Sequence, residues 1–213
     1  MTAERSDEMA RLRQQLADAQ LENERLKRRL DEEVGTLNHL IRISTNLNST
    51  LNLPELLRLI MNAAKELFRA EACSVMLVDE ETGELVFEVA VGERSEDVVK
   101  HRIPPGQGIA GRVAQTGEPR IINSVKDDPD FYGKIDQAVG YTTRNMLAVP
   151  LRTKDRVIGV VEIINTQGRD KFEEKDLALA QALTNQAAVA IENARLYQKL
   201  SEALVQSRMS YRL

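Results

Sequence analysis

The chain has 213 residues and a mass of 23.9 kDa, enough for one or two domains with a sizeable core and too little for a large multidomain enzyme. Its 29 Lys plus Arg against 33 Asp plus Glu leave a net charge of -4 and a pI near 5.4, so no global basic field attracts phosphate backbones and nucleic acid is not expected as a partner. One cysteine, Cys73, and two histidines, His39 and His101, exclude an internal disulfide and an ordinary zinc site, and point to a reducing, cytoplasmic setting.

The N-terminal segment is charged throughout, and no later run approaches the roughly 18 apolar residues of a membrane span, so no membrane association is expected. From Met9, heptad core positions fall at steps of three and four through Leu12, Leu16, Ala19, Asn23, Leu26, Leu30, Glu33, Leu37, Leu40, Ser44, Leu47 and Leu51. About six repeats exceed the three or four that argue for a coiled coil. Asn23 falls at an a position, and Glu8 with Arg13 and Glu22 with Lys27 make attractive g–e pairs, which predicts a parallel homodimer through residues 1–52. The alternative is a solvated helix packed on its own domain, because Glu33 and Ser44 weaken the seam.

Asn52-Leu53-Pro54-Glu55 reads as a helix start: a capping Asn, Pro in the first turn, and Glu three residues after the cap. Leu56, Leu57, Ile60, Ala64, Leu67 and Phe68 then form one apolar face. CSVMLVD (73–79) and ELVFEVAV (84–91) flank the turn-like EETG as a β-hairpin, and RNMLAVPLR and VIGVVEIIN flank Thr153–Asp155 as a second. From Glu173 to about Arg208 the pattern is helical, with Leu177, Ala180, Leu183, Ala187, Ala190, Ile191, Ala194, Tyr197 and Leu204 apolar. At 1.5 Å per residue that is on the order of 50 Å, so the helix projects.

Gly106, Gly108 and Gly111 match the dinucleotide fingerprint, but no buried strand runs into the loop, and the following helix ends after about nine residues at Thr116-Gly117. Tight loop geometry and close helix packing explain these glycines better. Cys73 opens an apolar strand without a partner to lower its pKa, which suits a small core residue rather than a nucleophile. His39 sits at an outer coiled-coil position, and His101 is either a solvated strand end or a pocket-lining residue. No catalytic triad, paired carboxylates or phosphate-cradling loop is present, so no catalytic residue, metal or cofactor is expected.

Between about Pro54 and Leu200 the segments CSVMLVDEETGEL, IPPGQGIAGRVAQTGEP, DPDFYGKIDQAVGYTTRNMLAVPL, GVVEIIN followed by Phe172 and Asp176, and QAAVAIENARLY resemble, in this order, a GAF domain. That family is a small-molecule-binding module of cyclic-nucleotide phosphodiesterases, bacterial cyclases and many signalling proteins. The resemblance implies an α/β (α+β) fold over 53–200 with a central antiparallel sheet flanked by helices, preceded by the coiled-coil helix and ending in a projecting helix with an extension and tail at 201–213. GYTTRN and FYGKID are similar to the cyclic-nucleotide-binding branch. Its Asn-Lys, Phe, Asp signature is matched by Asn165, Phe172 and Asp176, with Thr166 where the Lys would stand. The resemblance makes this signature a lock between the last strand and the last helix, and losing the Lys implies losing an ion pair to Asp176.

Carried over by position, Ser74, Thr143 and Glu162 occupy places that contact a cyclic nucleotide in such domains, and Tyr141 lies in the same GYTTRN segment. Ala90 and Val91 replace an aromatic residue and an Asp, and Val139 replaces one of two threonines. These seven residues are the expected pocket, with an occupant other than a cyclic nucleotide. The function expected is a non-enzymatic homodimeric sensor that binds an unidentified small molecule and relays the signal through its flanking helices to a downstream signalling protein. A cyclic-nucleotide receptor and a dimerisation scaffold with an empty pocket remain alternatives. A free methionine sulfoxide reductase would need a second Cys. With about seventeen residues after Leu196, output is expected from a longer protein or from a partner.

Overall fold

Two hairpins of β-branched residues, laid side by side, make the centre of a six-stranded sheet. In the computed structural model of the chain, residues 53–154 and 156–210 are described, with Gln14 and Glu24 as isolated helical positions before them. The chain divides into two units, Met1–Ser49 and Thr50–Leu213. The expected coiled coil, the Asn52 cap, His39 and the last three residues lie outside the described residues. The second unit runs α1 (Leu53–Leu67), β1 (Ala70–Val78), β2 (Leu85–Val91), α2 (Ser95–Val98), β3 (Arg102–Ile103), α3 (Gly108–Thr116), β4 (Arg120–Ile122), a 3-10 turn (Val125–Asp127), α4 (Lys134–Val139), β5 (Met146–Arg152), β6 (Val157–Thr166) and α5 (Glu174–Ser210).

The strand order is β3-β2-β1-β6-β5-β4, and every neighbouring pair is antiparallel. Both expected hairpins form, β1–β2 and β5–β6, and they pair with each other through β1 and β6. β1 begins three residues earlier than the sequence pattern indicates, because Ala70 and Ala72 pair with Thr166 and Ile164 of β6. Here a long-range partner, not local composition, sets the strand end.

Both faces of the sheet are covered. Leu147, Val149 and Leu151 of β5 alternate with residues of the opposite face, as do Val161 and Ile163 of β6, and α1 and α5 pack on this side of the sheet. α1 buries Leu56, Leu57, Ile60, Met61 and Ala64, with Phe68 just beyond. Met61 takes part in this face, whereas Leu67, expected there, is left partly exposed at the last turn. α5 buries Ala180, Leu183, Ala187, Ala190 and Ile191, but Tyr197 is 62% exposed and Leu196 and Leu200 are exposed as well. At 1.5 Å per residue its 37 residues span about 55 Å.

On the other face Met76, Phe87, Ile103, Ile109, Val113, Met146, Ala148 and Val160 form one apolar cluster with α3. α3 spans nine residues and ends where Gly117 donates its N–H to the Val113 carbonyl at 2.8 Å. The three-glycine loop serves packing. A Cβ on Gly111 would lie 2.8 Å from the Gly106 backbone, and one on Gly108 would lie 2.9 Å from Tyr132 Cβ, so only glycine lets this loop close over the helix start.

Candidate ligand pocket

The register of the sheet gathers the floor of a pocket. Ala90 of β2 pairs with Ser74 of β1, Ser74 with Glu162 of β6, and Glu162 with Ala148 of β5. Directly opposed residues share a face with Cβ atoms about 4.5 to 5.5 Å apart, so a hydroxyl and a carboxyl stand side by side between two alanines. β2 carries one extra residue at this point: Val75 pairs with Val89, but Met76 pairs with Phe87. A bulge resets the alternation of side chains, which is why Phe87 and Ala90, three residues apart, both line the same cavity.

All seven residues assigned from the sequence, Ser74, Ala90, Val91, Val139, Tyr141, Thr143 and Glu162, line this cavity. α4 and the segment after it supply Asp136, Val139, Tyr141 and Thr143; α3 supplies its first turn, Gly108 to Ala110; and Phe131 and Tyr132 close the side between them. The space open to the centres of water molecules is about 80 Å³, which corresponds to roughly five to eight waters. His101 does not line it.

Electrostatics single out two side chains. Ser74 is 3% exposed, and its Oγ has no hydrogen-bond partner among the described residues. Leaving such a group unpaired costs about 1 to 3 kcal/mol. Glu162 is 8% exposed, and burial, with the Asp136 charge adding to it, pushes its carboxyl up to about 7. Cys73, by contrast, is driven up to about 12 by burial, so its thiolate is scarce at neutral pH and it is a poor nucleophile.

Asp136 lines the cavity too, and nothing in the sequence pattern singles it out. Its Oδ2 accepts the Thr143 N–H at 2.7 Å and its Oδ1 accepts the Thr143 hydroxyl at 2.9 Å. The Thr143 hydroxyl proton is therefore committed to Asp136 and is not free to be donated to a ligand. A lone Asp in the six-residue KIDQAV helix reads as a solvated charge, so nothing local signals this role. Phe131 and Tyr132 had a usable signal: they are adjacent aromatics in a chain with four Phe, four Tyr and no Trp.

The signature residues hold the pocket from outside. Asn165 is fully buried with φ 57, a left-handed conformation that Asn tolerates better than most residues. Its Oδ1 accepts the Arg144 N–H at 2.7 Å, and its Nδ2 donates to Glu71 Oε2 at 2.8 Å, to the Thr142 carbonyl at 2.9 Å and to Tyr141 Oη at 3.2 Å. Asn165 thus fastens the 141–145 segment, which carries Tyr141 and Thr143, to the sheet rather than to α5, correcting the expectation. Hydrogen bonding from Arg144 keeps the Glu71 carboxyl below the usual range, and burial, with the Glu71 charge adding to it, raises Tyr141 to about 12, so both hold their ionisation states in this cluster.

The ion pair thought lost with the missing Lys is present by another route. Arg169 Nη1 reaches Asp176 Oδ2 at 2.7 Å while its Nε donates to Thr166 Oγ1 at 2.9 Å, so Thr166 and Arg169 together do what one Lys would. Asp176 Oδ2 also accepts the Glu173 N–H at 2.7 Å, a reach back over the first turn that caps α5. Phe172, 2% exposed, lies with its ring centroid 5.5 Å below the Arg169 guanidinium, and its backbone is clamped at both ends by the Asn123 amide.

This architecture is shared with known proteins. The GAF domain of a phosphoenolpyruvate-protein phosphotransferase (ptsP) from Coxiella burnetii superposes with a TM-score of 0.64 at 25% identity, covering 76% of this chain and 96% of that one. A free methionine-R-sulfoxide reductase from Neisseria meningitidis, solved with its substrate, gives a TM-score of 0.60 at 22% identity, covering 75% and 88%, a likeness of fold alone. In sequence the chain is 31% identical over 150 residues to the probable 3′,5′-cyclic phosphodiesterase pde-5 of Caenorhabditis elegans, a match covering 66% of this chain and 20% of that protein. The chain thus spans about a fifth of that relative's length. The sequence model described as GAF domain matches residues 50–192, more than half of the chain, and together with the antiparallel sheet and its flanking helices it establishes that this chain belongs to the GAF domain family.

Proposed function

We propose that the cavity over Ser74 and Glu162 is the ligand site of a non-enzymatic sensory module, and that occupancy is relayed through α5 and the segment preceding the domain. GAF domains are regulatory modules of signalling proteins, which sets the class. The observation that carries the reading for this chain is the unpartnered, buried Ser74 hydroxyl beside a buried carboxyl, both opening on a cavity with apolar walls. Buried polar groups that lack a protein partner are satisfied by water or by a ligand, and a pocket with apolar walls and a few convergent polar groups is the usual form of a ligand site. The high pKa of Cys73 supports binding over thiol chemistry. We assign the assembly as a homodimer formed through residues 1–52, working in the cytoplasm with a downstream signalling protein; no described helix is long and apolar enough to cross a membrane.

A thermal-shift screen of small metabolites against the full chain tests the site. Ligands are expected to raise the melting temperature of the wild type and to lose that effect in Ala90→Leu, which fills the floor of the cavity. No stabilising metabolite, or equal shifts in both proteins, contradicts the proposal and favours a scaffold. The phosphodiesterase relative supports a second reading, a cyclic-nucleotide receptor. Ala90, Val91 and Val139 offer no polar group to a purine edge, so cyclic AMP and cyclic GMP are expected to bind no tighter than tens of micromolar, on the order of -6 kcal/mol. A submicromolar dissociation constant abolished by Thr143→Val would place the second reading first.

A further inference from the structure

We infer that the pocket takes a small organic cation bearing N–H donors, an alkylguanidinium or alkylammonium of about five to eight non-hydrogen atoms, held by Glu162 and Ser74 and enclosed by aromatic rings. This rests on the reading of the cavity as a ligand site and names the chemical class of its occupant.

Three observations converge. The first is charge. Glu93, Asp136 and Glu162 line the cavity, and no Lys, Arg or His is among the described residues that do. Glu93 lies exposed at the rim, 3.9 Å from Arg94, and Lys134 is drawn over the Tyr132 ring at 5.4 Å without lining the space. The first turn of α3 opposes this field with the partial positive charge of a helix N-terminus, about half an elementary charge, against up to three carboxylates. The balance favours a cation over a phosphate-bearing ligand.

The second observation is the aromatic lining. Phe87, Phe131, Tyr132 and Tyr141 all line this cavity, half of the eight aromatic residues in the chain. Aromatic faces attract cations within about 6 Å, more strongly when water is excluded. The third, independent of the acidic groups, is Ser74. Its Oγ is buried and unpaired and lines the same space, so it can accept an N–H from the ligand that Glu162 accepts on its other side. Size follows from the space of about 80 Å³ open to the centres of water molecules, room for roughly five to eight waters.

Titration calorimetry of the full chain with propylguanidinium, butylammonium, propylurea and cyclic AMP tests the assignment. Propylurea matches propylguanidinium in shape and atom count and lacks its charge. Both cations are expected to bind, with propylurea at least tenfold weaker. Glu162→Gln should weaken propylguanidinium at least tenfold and leave propylurea unchanged, and Ser74→Ala should weaken the cation about threefold; circular dichroism checks that both variants are folded. A cation stabilises ionised Glu162, so its binding at neutral pH should release a proton, read from the dependence of the heat on the buffer's ionisation enthalpy. Equal affinity for propylurea, indifference to Glu162→Gln, or no binding by either cation overturns the inference. If the cations fail and cyclic AMP binds, the sensory reading stands and the cation assignment falls. If none of the four binds and the metabolite screen is also blank, both fall.

Discussion

Glu162 is the residue whose placement costs the fold most visibly. Its carboxyl titrates near 7 in the folded state against an ordinary value of 4.5, so the folded protein keeps a proton that the unfolded chain releases between these values. Stability therefore falls as pH rises from about 4.5 through 7, and the penalty is complete above that window. At 1.36 kcal/mol per pKa unit it amounts to roughly 3 kcal/mol. Glu162→Gln is accordingly expected to stabilise the chain near pH 8 and to change little near pH 4.5, measured by denaturant unfolding at both. Equal effects at the two pH values would mean that the carboxyl is solvated through the cavity. At Asn165 the direction reverses. Asn165→Ala leaves the Arg144 N–H and the Thr142 carbonyl unpaired, and a loss of roughly 2 to 4 kcal/mol is expected. Asn165→Gly relieves the left-handed backbone but should lose nearly as much; full recovery in the glycine variant would show that conformation, and not the amide, is what matters there.

Among the elements, the hairpins, α1 and α5 were legible because local pattern and tertiary role agree: β-branched runs around turn residues, and an apolar helical face that needs a sheet. The pocket floor was legible only through resemblance. Nothing in periodicity alone places Ser74 beside Glu162, since that pairing depends on register between strands 88 residues apart in sequence. Asp136 and Arg169 stayed hidden for the same reason, because each acquires its role from a partner that folding brings to it. The Arg169 substitute for the missing Lys shows that a motif can depart in letters while its ion pair persists. Under Arg169 the Phe172 ring is buried, so Phe172→Ala is expected to cost about 3 to 5 kcal/mol. A loss below about 1 kcal/mol in chemical denaturation would contradict its role beneath the start of α5.

For the whole molecule two proposals stand together, a pair of chains held through residues 1–52 and a cavity that takes a ligand. The first is checked by sedimentation: the full chain is expected to be a dimer at micromolar concentration and a chain lacking residues 1–50 to associate more weakly, whereas a monomeric full chain would contradict it. α5 leaves Leu196, Tyr197 and Leu200 exposed, and in the proposed reading it is there that a partner senses occupancy. Any such relay requires the ligand to favour one arrangement of the helices over another. The claim on which the rest depends is that the Ser74 and Glu162 cavity holds a small molecule. Its most direct test is mass spectrometry of the molecules released from gently purified wild-type chain and from Ala90→Leu. A metabolite enriched in near-stoichiometric amount from the wild type and absent from the variant is expected; no enriched molecule, or the same one released from both proteins, would rule out the ligand site.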